Sequence, residues 1–189
     1  SSGSAALHIA VAAAGIAPGD EVITSGITDI GTVIGVLFQQ AVPVFADLEP
    51  NTANLDPADV ERKITPKTKA IIAVHLFGNP CNMDGLVEVA RRHNIPLVED
   101  CAQAHVTEYK GRFVGTIGDL GCFSFQNSKH LTCGEGGAVG PIRRARQVAA
   151  VERVVDQAER RAAAGVVGRG VAGEAAGQER VVGEAVAAV

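Results

Sequence analysis

The chain has 189 residues, 47% of them hydrophobic, enough apolar material for one α/β domain of ordinary size. Its formal net charge of −4 provides no basic patch of the kind nucleic-acid binding requires. Its apolar runs break too early to span a bilayer, so neither a nucleic acid nor a membrane is expected as a partner.

The first part of the chain alternates β-branched strands, polar turns and apolar helical stripes. Residues 4–14 read as a helix with Leu7 and Val11 on one stripe, closing near Gly15. GDEVIT places a strand over Val22–Thr24. Residues 30–40 read as a helix with Val33, Val36 and Leu37 inward, despite their β-branched content. VPVFAD gives a strand over Val42–Ala46, and Pro57 opens a short helix to Lys63. The apolar run in KAIIAVH predicts a strand over Ala70–Val74, and residues 83–92 an amphipathic helix. Further strands are expected at Leu97–Glu99, Cys122–Phe125 and Gly137–Val139. Short, wholly apolar strands between helices imply a mainly parallel sheet buried on both faces, a three-layer α/β sandwich. Ligands of such sheets sit beyond the carboxyl ends of the strands.

Residues 141–189 differ from the rest, being built almost entirely of Ala, Val, Arg, Gly and Glu. A helix is allowed over 143–164, and the glycines from Gly165 onward predict disorder or loose packing. The chain thus divides at residue 140 into a core and a tail. The restricted alphabet of the tail is that of an out-of-frame reading of GC-rich DNA or of a genuine Ala/Arg-rich extension.

Cys81, Cys101, Cys122 and Cys133 are irregularly spaced with no CxxC, so free thiols in a reducing compartment are expected and no metal site. The opening residues lack the basic region and Met of a signal peptide, which points to the cytoplasm.

Two segments concentrate candidate chemistry, VEDCAQAH (98–105) and GCFSFQNSKHLTCGEGGAV (121–139). Asp100 directly follows a buried strand. A carboxylate there caps a turn, or holds a protonated pyridine nitrogen. Lys129 is either a solvated lysine or one drawn into a pocket, where a lowered pKa allows an imine. Ser124 bonds the backbone or a phosphate. In SSGSAAL, Gly3 permits close backbone approach and Ser4 can cap a helix whose free N–H groups attract an anion. Neither GxxxxGK[ST] nor GxGxxG is present.

The ordered segments GSAALHIAV, GIAPGDEVIT, PVFADLEPNTANLDP, ITPKTKAIIAVHLFGNPCNMD, ARRHNIPLVEDCAQAH, YKGRFVGTIGD and FSFQNSKHLTCGEGGAV resemble the DegT/DnrJ-type sugar aminotransferases, across residues 1–140. That resemblance implies an incomplete aspartate aminotransferase-like large domain, a pyridoxal 5'-phosphate (PLP) cofactor and a homodimer. By position it makes Lys129 the Schiff-base lysine and proton shuttle, and Asp100 the partner of the pyridine nitrogen. Gln103 matches the residue near the ring oxygen, Gly3 and Ser4 the phosphate-binding turn, and Ser124 a further phosphate contact. The family moves an amino group from glutamate or glutamine to a keto sugar, often nucleotide-linked, or a cyclitol.

Asp29 stands where the family commonly stacks an aromatic residue on the ring, and the likeness stops near Gly140. Both departures leave room for a non-catalytic PLP-binding or regulatory homologue, or an inactive fragment. Dehydratase relatives replace the imine-forming lysine by histidine; position 129 is Lys, which favours transamination.

Overall fold

The computed structural model describes residues 1–141 and the pair Ala187–Ala188. The expected tail helix over 143–164 and the loose packing beyond it lie outside the described residues.

Every residue of β3 (Thr68–Val74) except Lys69 is buried, and successive side chains enter opposite faces of the sheet. Ala70 and Ile72 join one apolar cluster, and Ile71 and Ala73 the other. A strand with two dry faces must be covered on both, and the helices divide accordingly. On one side α1 (Gly3–Ala13) and α2 (Ile30–Phe38) supply Ala6, Leu7, Ala10, Val11 and Val36. On the other, α3 (Pro57–Lys63) and α4 (Met83–His93) supply Val60, Met83, Leu86, Val89 and Ala90. The result is the three-layer sandwich expected from the short apolar strands.

The remaining strands are β1 (Glu21–Ser25), β2 (Val42–Ala46), β4 (Leu97–Asp100), β5 (Glu108–Tyr109), β6 (Arg112–Phe113), β7 (Leu120–Ser124), β8 (Gly137–Pro141) and β9 (Ala187–Ala188). The main sheet runs β2-β1-β3-β4-β7-β8-β9. Strands β2, β1, β3, β4 and β7 are mutually parallel, and β8 pairs antiparallel with β7. The register sets Val74 beside Asp100 and Asp100 beside Cys122, so β3 and β4 end together and β7 runs on to Ser124.

The helix stops have local causes. Asp56 accepts from Ala58 N ahead of Pro57, and Asn94 closes α4 in the left-handed conformation. Four details differ from the sequence expectation. Leu37 is 50% exposed, because the covered face of α2, Gly31 to Val33 with Gly35 and Val36, does not reach it. Ser2, not Ser4, caps α1: its hydroxyl accepts from Ala5 N at 3.2 Å. Strand β7 begins at Leu120 and ends at Ser124, leaving Phe125 to the following loop. The β5–β6 hairpin was not foreseen. Its turn residues Lys110 and Gly111 both have positive φ, the two-residue hairpin geometry, but Lys-Gly is not a pair that announces it.

Candidate active site

A cleft of about 390 Å³ opens beyond the carboxyl ends of the parallel strands. All six candidate residues, Gly3, Ser4, Asp100, Gln103, Ser124 and Lys129, line it.

Asp100 closes β4 and is 4% exposed. Its Oδ2 accepts the Thr32 hydroxyl at 2.7 Å, and its Oδ1 the Ala102 amide at 3.0 Å. Burial, the largest influence, holds its pKa above the ordinary carboxyl value, against the bonds from Thr32 and Ala102 and the charge of Lys129. The carboxyl group is hydrogen-bonded through both oxygens at the inner wall of the cleft.

Glu99, its neighbour on the strand, points away and is fully buried. It accepts from Gly115 N at 2.8 Å, Ile117 N at 2.7 Å, Gly118 N at 2.7 Å and His75 Nε2 at 3.1 Å. His75 Nδ1 accepts the Cys81 amide at 3.1 Å, so that nitrogen carries no proton and Nε2 holds it. His75 is thus the neutral donor and Glu99 the anion. Burial, the largest single influence on Glu99, would raise its pKa; bonds from His75, Gly118 and Gly115 outweigh it and hold the carboxyl below its ordinary value. His75, Glu99 and Cys101 bring their ligand-type atoms within 4.8 Å of one another. With Glu99 filled by four donors and both His75 nitrogens engaged, this group fastens the 115–118 turn beneath the cleft.

The opposite wall is the start of α1. Helix geometry leaves the first-turn N–H groups without intrahelical acceptors, and Ser2 takes that of Ala5. Those of Gly3 and Ser4 remain at the cleft. A Cβ at Gly3 would lie 2.6 Å from Ser124 Cβ, so only glycine lets the α1 turn sit this close to the end of β7. Ser4, Gly3 and the Ser124 hydroxyl thereby converge from two elements.

Lys129 lies in the loop between β7 and β8, which folds on itself through Lys129 N to Gln126 O at 2.9 Å and Cys133 N to Phe125 O at 3.0 Å. Under this loop His105 is buried against the rings of Phe123, Phe125 and His130. Neither of its ring nitrogens has a full hydrogen-bond partner among the described residues. Burial, then the charge of His130, lowers its pKa against an opposing pull from the Ser124 backbone, keeping the ring neutral.

Gln103 is fixed by its amide oxygen, which accepts Phe77 N at 3.0 Å. Phe77 and Val106 flank it in left-handed backbone, 84% and 77% exposed. Asp29 also lines the cleft; its carboxylate accepts Gly31 N at 2.8 Å and caps α2. Sequence reasoning missed Ser2, Thr28 and Thr32. Ser2 is a serine directly before Gly3, a local N-cap signal, whereas Thr32 reaches Asp100 across 68 residues.

The arrangement offers, in one cleft, a buried acceptor, an anion-binding helix start and a lysine. A family model described as the DegT/DnrJ/EryC1/StrS aminotransferase family matches residues 1–145. The chain belongs to this family. The L-glutamine:2-deoxy-scyllo-inosose aminotransferase of Micromonospora echinospora is 53% identical over 139 residues, covering 74% of this chain and 33% of that protein. The GDP-perosamine synthase of Escherichia coli O157:H7 is 48% identical over 139 residues, covering 74% and 38%. The solved structure of ntda from Bacillus subtilis, with bound cofactor PMP, matches with a TM-score of 0.73 and 32% identity, covering 80% of this chain and 34% of that one. The chain thus spans about a third of the length of these family members, and what it holds is a partial large domain.

Proposed function

We propose that this chain is the cofactor-binding part of a PLP-dependent aminotransferase that moves an amino group from glutamate or glutamine to a keto sugar, often nucleotide-linked, or to a cyclitol. The observation that carries this reading is the buried Asp100 carboxylate, bonded on both oxygens, in one cleft with Lys129 and with the Gly3–Ser4 helix start. The named substrates of the similar proteins, an inosose and a GDP-sugar product, supply the acceptor class.

The residues fit PLP. Gly3 and Ser4 N–H groups and the Ser124 hydroxyl suit a phosphate. Asp100 lies at the inner wall, where a protonated ring nitrogen would need an anion. Gln103, whose amide oxygen accepts Phe77 N, would lie near the ring oxygen. PLP, when bound, supplies an electron sink for charge developing on the substrate carbon. Lys129 would hold the cofactor through its Nζ, and the same Nζ would move the proton at the substrate carbon. Asp100 would set a carboxylate against the ring nitrogen, and the buried Val74 and Leu7 line the same cleft.

The working unit on this reading is a homodimer. Phe77 and Val106 support it, as large apolar side chains exposed beside the cleft. The compartment is the cytoplasm: Cys81, Cys101 and Cys122 are buried free thiols, and no helix among the described residues is long and apolar enough to cross a membrane.

A second reading, a PLP-binding homologue without turnover or an inactive fragment, is favoured by the chain spanning only about a third of its relatives. Addition of L-glutamine to the PLP-loaded chain separates the two. Conversion of the bound cofactor to its aminated form supports transamination; an unchanged cofactor band supports the second reading.

A further inference from the structure

Thr32 lies in the first turn of α2 and is buried. Its Oγ1 is 2.7 Å from Asp100 Oδ2 and 2.6 Å from the Oγ1 of Thr28, which is half-buried in the cleft wall. Pairing with a protonated ring nitrogen requires Asp100 as the carboxylate, which has no proton to give, so in that state Thr32 donates to Asp100. Its single proton is then committed, and the short contact to Thr28 requires Thr28 to donate to Thr32. The direction of both bonds is fixed by the charge on Asp100, and protonation of Oδ2 would force both to reorganise. Such a chain favours the ionised carboxylate and fixes the rotation of its plane. The Ala102 amide holds the other oxygen.

The remaining groups around Asp100 leave this role open. Lys129, from the β7–β8 loop, bears on it as a charge. His75, after β3, is neutral by its bonds to Cys81 and Glu99. The thiols of Cys81, Cys101 and Cys122 are kept protonated by burial. None of these donates a hydrogen bond to Oδ2; Thr32 does.

We propose that Thr32, oriented by Thr28, is a positioning residue that keeps Asp100 ionised and turned toward the ring nitrogen of PLP. The inference rests on the proposed function, since it requires the ring nitrogen at Asp100. Loss of the Thr32 hydroxyl lets the ring nitrogen lose its proton. The neighbouring Lys129-linked nitrogen then becomes easier to protonate, and the bound cofactor's visible absorbance titrates at higher pH.

The test is a pH titration of the cofactor absorbance, with a PLP binding isotherm, on the full chain and on Thr32→Val, Thr32→Ser and Thr28→Val. A hydrogen bond to a charged group sets the expected loss of PLP affinity in Thr32→Val at on the order of 10-fold. Its absorbance midpoint moves up, Thr32→Ser restores both readings, and Thr28→Val moves the midpoint the same way by less. If Thr32→Val does not fold, as judged by its melting transition without PLP, Thr28→Val and Thr32→Ser decide by the same signs. A wild-type band with an unmoved midpoint in the folded variants overturns the role of Thr32 alone. No cofactor band in the wild type overturns the PLP reading and this inference together.

Discussion

His75 Nε2 and Glu99 Oε2 lie 3.1 Å apart with both side chains fully buried, and the proton between them belongs to the histidine. Glu99 also gathers three amides of the 115–118 turn, so one carboxylate ties β3, β4 and that turn together directly behind Asp100.

Glu99→Gln turns one oxygen into an NH₂ group facing existing donors. Unsatisfied buried donors cost about 1–3 kcal/mol each, so a loss of roughly 3 kcal/mol is expected in urea unfolding. The pH dependence has a definite sign. The folded pKa of Glu99 is lowered, so its contribution is present above the unfolded carboxyl value and is lost as pH falls through the folded one. Glu99→Gln should flatten that acid loss. An unchanged acid profile would show that Glu99 is not held ionised.

Gly3→Ala places a methyl group 2.6 Å from Ser124 Cβ. Backbone on one side and a strand end on the other leave little room to give, and overpacking of this kind costs about 1–3 kcal/mol. The α1 start must move from Ser124, so PLP affinity should fall further than stability alone explains. Inorganic phosphate as a competitor of PLP checks this: it should protect poorly in Gly3→Ala and well in the wild type.

Val106 is a β-branched residue at φ 53 with an exposed side chain. Left-handed backbone is costly for such a residue and free for glycine. Val106→Gly should therefore stabilise the isolated chain, by about 1 kcal/mol on the scale of such backbone strain. Denaturant unfolding that shows destabilisation would mean that Val106 contributes packing that its exposure does not reveal.

Leu86 is fully buried among Val60, Val89 and Leu97 on the α4 side of the sheet. Leu86→Ala should cost about 2–5 kcal/mol, the range for truncated core leucines. Because this cluster lies away from the α1 wall, PLP affinity of the folded variant should change little, which equilibrium binding below the unfolding temperature can check.

Much of this was legible in the sequence because it is local. The all-apolar run Ala70–Val74 has only one home, a strand dry on both faces, and Pro57 after Asp56 marks a helix start by itself. Leu37 failed because a helical stripe gives the direction of burial but not how far the neighbouring layer extends. The six cleft residues were legible through their family pattern, not through chemistry visible in any one segment. Thr32 was not, since its meaning is a bond to a residue 68 positions away, and a threonine inside an apolar helix carries no mark of it. The capping role of Asp29 is local, since an Asp directly before Ile30 suits a helix N-cap.

The most direct test of the central claim is borohydride reduction of the full chain after incubation with PLP, followed by peptide mapping. The account predicts one pyridoxyl adduct, on Lys129, absent from Lys129→Ala and suppressed in Gly3→Ala. Absence of an adduct on Lys129, or labelling spread over the surface lysines Lys63, Lys67 and Lys69 and unchanged in Lys129→Ala, would contradict it.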